Sequence, residues 1–186
     1  MSEILKKTVA HLPEILPKNA KSMMQRIVDA TQNAISADPQ FGASSYSALL
    51  LKMSSDDLVR EFDLAIRETM SAMQKQSGVP GVSAQWLGLS IEPLEATGEP
   101  PDADFLTSTA LFEKLCAKAS DLGVDGFGAC SKAVFLASFN DAFTNSHIDP
   151  GEARKIVPFA RQALNGELLK LYTKLDSLCF GDTRKT

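Results

Sequence analysis

Residues 140–156 read NDAFTNSHIDPGEARKI, and two incompatible structures compete for those letters. One is a calcium loop of the EF-hand kind, with Asp at position 1, Asp or Asn at 3 and 5, Gly at 6, an apolar residue at 8 and Glu at 12. Counted from Asp141, Asn145, Ile148, Asp149 and Glu152 fall in suitable places, whereas Phe143 and Ser146 occupy positions that need a ligand and a glycine. An earlier start at Asp121 places Asp125 and Gly126 well but ends on Lys132, a cation where the bidentate Glu belongs. The two loops would also lie too close in sequence for the helices of a paired hand. The other reading is a helix start. Asp149 is the N-cap, Pro150 takes the first helical position, and Glu152 reaches back to close a capping box. Ile148 then staples against Ala153 or Ile156. This reading explains the same letters better and favours a helical fold over a metal site.

The flanking sequence extends that grammar. Apolar residues recur every three or four positions over Asn19–Ile35, through Leu58, Phe62, Ala65, Ile66, Met70 and Met73, and over Asp149–Leu178. That is the period of a helix with one buried face. Ser2–Leu12 reads as a short first helix closed by Pro13, with Pro17 extending the break. Tyr46–Met53 is a short helix, and Ser54 or Ser55 caps a long one whose first turn carries Asp56 and Asp57. Further helices run over Asp104–Leu122, ending at Gly123, and about Ala129–Thr144. The final helix is read as the longest, with a kink allowed at Gly166.

Residues 78–105 break the pattern. Four of the nine prolines and four of the eleven glycines fall between Ser77 and Asp104, so a continuous helix is excluded there. The expected fold is therefore all-α: six or seven helices in a bundle-like single core. An N-terminal helical part (1–77) and a C-terminal one (106–186) are joined by a Pro/Gly-rich acidic connector (78–105).

Composition narrows the function classes. The 186 residues are 44% hydrophobic and 23% charged, as in ordinary globular proteins. No apolar run reaches the roughly 18–20 residues of a membrane helix, and the N-terminus has no signal-like apolar core. Cys116, Cys130 and Cys179 do not suggest a disulfide framework, so a reducing, cytoplasmic setting is expected. Residues 1–77 carry nine bases and nine acids, 78–105 five acids and no base, and 106–186 ten bases and nine acids. The acidity is thus confined to the connector, and neither flank has the clustered Lys/Arg excess that binds phosphate backbones.

Chemical motifs are sparse. LGVDGFGACSK (residues 122–132) is a glycine-rich turn entering a helix but lacks the Gly-Lys-Ser/Thr of a phosphate loop. Cys130 stands near that helix start, where a thiol pKa can fall, yet no His partner is adjacent. There is no CxxC, HxxxH or HExxH, so neither metal nor cofactor is expected. Met23, Met24, Met53, Met70 and Met73 read as core filling rather than as a binding groove. The turn ending in Asp149-Pro150-Gly151-Glu152-Ala153-Arg154 resembles the helix pairs at the ends of small phage-type regulators. That resemblance implies a nucleic-acid-associated regulator of mobile-element type, but no DNA-reading element accompanies it.

The expectation is a non-enzymatic protein that acts by binding another protein as an adaptor, inhibitor or assembly subunit. Its contact residues would be Trp86, Leu87, Ile91, Glu92, Glu95 and Glu99, an apolar patch with an acidic border. Self-association through the C-terminal helix is a further possibility of the pattern. The alternatives are the nucleic-acid-associated regulator, and an enzyme or small-molecule binder with an all-helical pocket.

Overall fold

A computed structural model describes residues 2–42, 44–76 and 102–181. Among these residues the chain is helical without strands: α1 (Ser2–Ala37), α2 (Tyr46–Met53), α3 (Ser55–Gln76), α4 (Ala103–Asp121), α5 (Lys132–Asn145) and α6 (Pro150–Phe180), with one 3₁₀ turn at Phe127–Cys130. No helix of the described residues is long and apolar enough to cross a membrane. The expected all-α architecture is observed.

α1 is the spine. It packs against α3 and α6, with α5 lying against α3 and α4 against α6, while the short α2 rests mainly on α1. Arg26 meets Glu167 and Phe41 meets Phe159, so α1 and α6 are antiparallel. Asp102 meets Asn165 and Lys118 meets Asp176, so α4 and α6 run the same way. Residues of both halves, from Leu5 to Met70 and from Leu115 to Cys179, belong to one buried apolar cluster.

The first helix corrects the sequence reading. Neither Pro13 nor Pro17 ends it, and at 36 residues α1, not α6, is the longest helix. A proline inside a helix costs about 3 kcal/mol, through its missing N–H and the crowding of the carbonyl four residues back. Here Leu5, Leu12, Leu16, Ala20, Met24 and Ile27 form one buried stripe that runs straight across both prolines. Each buried Leu contributes about 1.5–3 kcal/mol, so tertiary burial offsets the local cost. The prolines are four residues apart, so the N–H missing at Pro17 is the one that would have bonded Pro13. Asn19, read as a helix start, instead donates its side-chain amide to the Ile15 carbonyl at 2.8 Å.

Other boundaries follow the expected grammar. α4 ends in a Schellman turn: Gly123, with φ +67°, donates to Ser120 O, and Val124 donates to Ala119 O. Asp149 caps α6, accepting from the N–H groups of Gly151 and Glu152. Glu152, however, does not close a capping box. Its carboxylate accepts from the Ser47 hydroxyl at 2.7 Å and from Lys155 at 2.8 Å, tying α6 to α2. Asp141–Asn145 lie within α5, so the stretch that imitated a calcium loop is half helix. Gly166 does not interrupt α6.

Two local features brace the core. The Tyr172 hydroxyl, fully buried, donates to the Cys130 carbonyl at 2.8 Å. Gly126 has φ +142°, and a Cβ built there meets the side chain of Val9 on α1. Tyr172→Phe is expected to cost about 1–3 kcal/mol by orphaning that carbonyl. Gly126→Ala is expected to cost a similar amount, about 1–3 kcal/mol, through backbone strain and the clash with Val9. Urea denaturation of both variants checks this; a midpoint unchanged in either would contradict the role assigned to it.

Candidate interaction surface

α2 carries the largest apolar exposure among the described residues. Ser45 caps it, accepting the Ala48 N–H, and Ser54 is the only residue between it and α3. In YSALLLKM nearly every position is apolar, so one face must stay uncovered once the other has packed. Ser47, Ala48 and Leu51 are buried. Tyr46, Leu49 and Met53, at i, i+3 and i+7, point outward with relative exposures of 65%, 50% and 83%. Met53 was read as core filling and is the opposite. Met23, Met24 and Met70 are buried and Met73 is half-buried against the core.

This face is held firmly from behind. Ser47 bonds Glu152 at the start of α6, and Phe41 stacks edge-on against Phe159 with ring centroids 5.7 Å apart. Below it, Asp57 in the first turn of α3 binds Arg60 at 2.9 Å and His147 at 3.0 Å, joining α3 to the α5–α6 turn. These contacts tie α2 and the start of α3 to α6 and the α5–α6 turn.

A second cluster sits where α4 begins. Asp102 caps α4 through the Phe105 N–H, and its other oxygen accepts from Asn165 of α6 at 3.2 Å. Lys132, in the first turn of α5, donates to the Phe105 carbonyl and to Thr109 Oγ1, both at 2.7 Å, with its ammonium 3.9 Å from the Phe105 ring centre. Burial pulls the Lys132 pKa down to about 8, against an opposing pull from Asp102.

Cys130 is not an activated thiol. It is buried, donates to the Phe127 carbonyl, and has its pKa pushed far up by desolvation. Ser131, not Cys130, caps α5. Among the described residues no His, Cys, Asp or Glu side chains gather into a metal-ligand set. Several basic side chains are already matched to carboxylates: Arg26 with Glu167, Arg60 with Asp57, Arg67 with Asp63, and Lys118 with Asp176. The final helix, read as a surface for self-association, is engaged within the chain by α1 and α4.

Trp86, Leu87, Ile91, Glu92, Glu95 and Glu99, the contact residues expected from the sequence, lie outside the described residues. Sequence reasoning missed the α2 face because periodicity marks apolar residues without marking which of them find a neighbour. The lone charge in α2, Lys52, was the available signal that this short helix had apolar surface to spare. Comparison with protein-family models, curated proteins and solved structures finds no match to the chain.

Lys132 leads to a pH prediction. The folded chain gives up this proton near pH 8, whereas an unfolded lysine keeps it to about 10.4. The unfolded state thus binds more protons across that window, and this group's contribution to stability rises with pH through it. The unfolding free energy of wild type minus that of Lys132→Met is expected to increase between about pH 8 and 10. Burial raises the pKa of Tyr172, Cys130, Cys116 and Cys179, which opposes this trend; the variant retains all four groups, and subtracting it isolates the Lys132 contribution. Chemical denaturation at three or four pH values measures it, and a flat difference would refute it.

Proposed function

We propose that the protein is a binding module for another protein, with the Tyr46–Leu49–Met53 face of α2 as a contact surface. The observation that carries this reading is that stripe: three large apolar side chains in one helical register, outward-facing on a braced helix. Tyr is enriched at binding hot spots, and exposed Met adapts its shape to a partner. An i, i+3, i+7 row matches the way helices dock into grooves and onto other helices. The acidic segment with Trp86, Leu87, Ile91, Glu92, Glu95 and Glu99 supplies a second contact in this reading. An adaptor, inhibitor or assembly subunit needs no catalytic group. The three free thiols fit work in a reducing compartment such as the cytoplasm.

The test compares three tagged proteins as baits in nuclease-treated lysate of the native host: wild type, Tyr46→Ser with Met53→Ser, and Trp86→Ala with Glu92, Glu95 and Glu99 changed to Lys. Wild type is expected to retain a protein in stoichiometric amount, and the α2 variant to retain roughly tenfold less while keeping its helical circular dichroism. Loss in the third bait as well would assign the acidic segment to the same interface. Equal recovery by wild type and the α2 variant would remove α2 from the interface. If no protein is retained and duplex DNA is shifted at about 50 mM salt, with affinity falling steeply as salt rises, the regulator reading takes over.

A further inference from the structure

α4 is attached differently from the other long helices. Of its 19 residues only Ser108, Leu115 and Ala119 are buried, and two of those three are small; Leu111, Phe112 and Cys116 are half-buried against the core. α5, with 14 residues, buries Val134, Phe135, Leu136, Phe139 and Phe143 among others. α4 packs chiefly on α6, whereas α1 and α3 each pack on two or more helices.

Polar contacts hold α4 at both of its ends. At its start, Asp102 accepts from Asn165, and Lys132 grips the Phe105 carbonyl and Thr109. At its end, the Lys118 ammonium binds Asp176 at 2.6 Å and lies 4.7 Å from the Phe180 ring centre. Between these clasps Phe112 tilts against Tyr172, with centroids 5.0 Å apart. The α6 face beneath α4 therefore carries Asn165 and Asp176 on either side of Tyr172. Water can solvate both ends of that face. By contrast, Leu12, Leu16, Met24 and Ile27 of α1 offer water nothing when uncovered.

We propose that α4 is a detachable cover over one face of α6, released as a unit while α1, α3 and the rest of α6 stay folded. Its release lays bare Tyr172, which is fully buried when α4 is seated. The polar clasps can be exchanged for water at modest net cost, whereas the sparse apolar strip supplies little else. Lys132, which belongs to α5, is the clasp whose loss frees the start of α4 first.

Hydrogen exchange of the full chain, followed by mass spectrometry in low denaturant, tests this directly. Amides across the middle of α4 are expected to exchange together, roughly tenfold or more faster than those of α1 and α3, with a weaker dependence on denaturant. Lys132→Met is expected to speed α4 exchange a further severalfold and leave α1 unchanged. Exchange of α4 in step with α1 and α3 would overturn the proposal. So would fast exchange confined to the first turn of α4, which is end fraying. The wild-type measurement decides the matter even if the variant folds poorly.

Discussion

Everything in this fold leans on the burial of α1. Its stripe from Leu5 to Ile35 is nearly solvent-free because α3 and α6 close on it from either side, one from each half of the chain. The stripe decides the fate of the two prolines. It also sets the chemistry of the buried charge: Glu167 has only 8% of its side chain exposed, yet it accepts from Arg26 of α1 at 2.8 Å and from Lys170 at 3.0 Å. Both partners keep their charged heads toward water, so the carboxylate is satisfied without burying a cation beside it. The interface is apolar along its centre and ionic at its edge.

The same logic sorts the peripheral helices. α5 is secured by aromatic burial, with Phe139 and Phe143 4.9 Å apart, centre to centre. α4 is secured by a mostly half-buried apolar strip with hydrogen bonds and an ion pair at its ends. α2 is secured on one side only, and its outer row of Tyr46, Leu49 and Met53 is left over. These three modes of attachment come from residue choice at the contact faces.

Much of the framework was legible before any coordinates. Asp149 as a cap, Gly123 as a helix terminator, and the limits of α2 are local signals, set by backbone chemistry within a few residues, and such signals survive folding. The prolines of α1 were misread because their cost is local while the burial that offsets it comes from α3 and α6. Glu152 was expected to bond its own N-cap and turned instead to Ser47, 105 residues away in sequence. The Lys132 clasp spans 23 residues to Thr109 and depends on how α4 is laid on α6. No spacing rule anticipates that. Met53 shows the same limit from the other side, since a methionine in an apolar helix reads as core until the packing proves otherwise.

The pairing of the first helix with the last has a consequence for the order of events during synthesis. Arg26 and Glu167, which meet across this interface, are 141 residues apart in sequence. At about 5–20 residues per second, the α6-facing side of α1 waits on the order of ten seconds after it leaves the ribosome before its partner is made. α3 is available much sooner and covers only the other flank. During that interval the nascent chain displays one flank of the apolar stripe of its longest helix, a surface that neighbouring chains on the same message could mistake for their own.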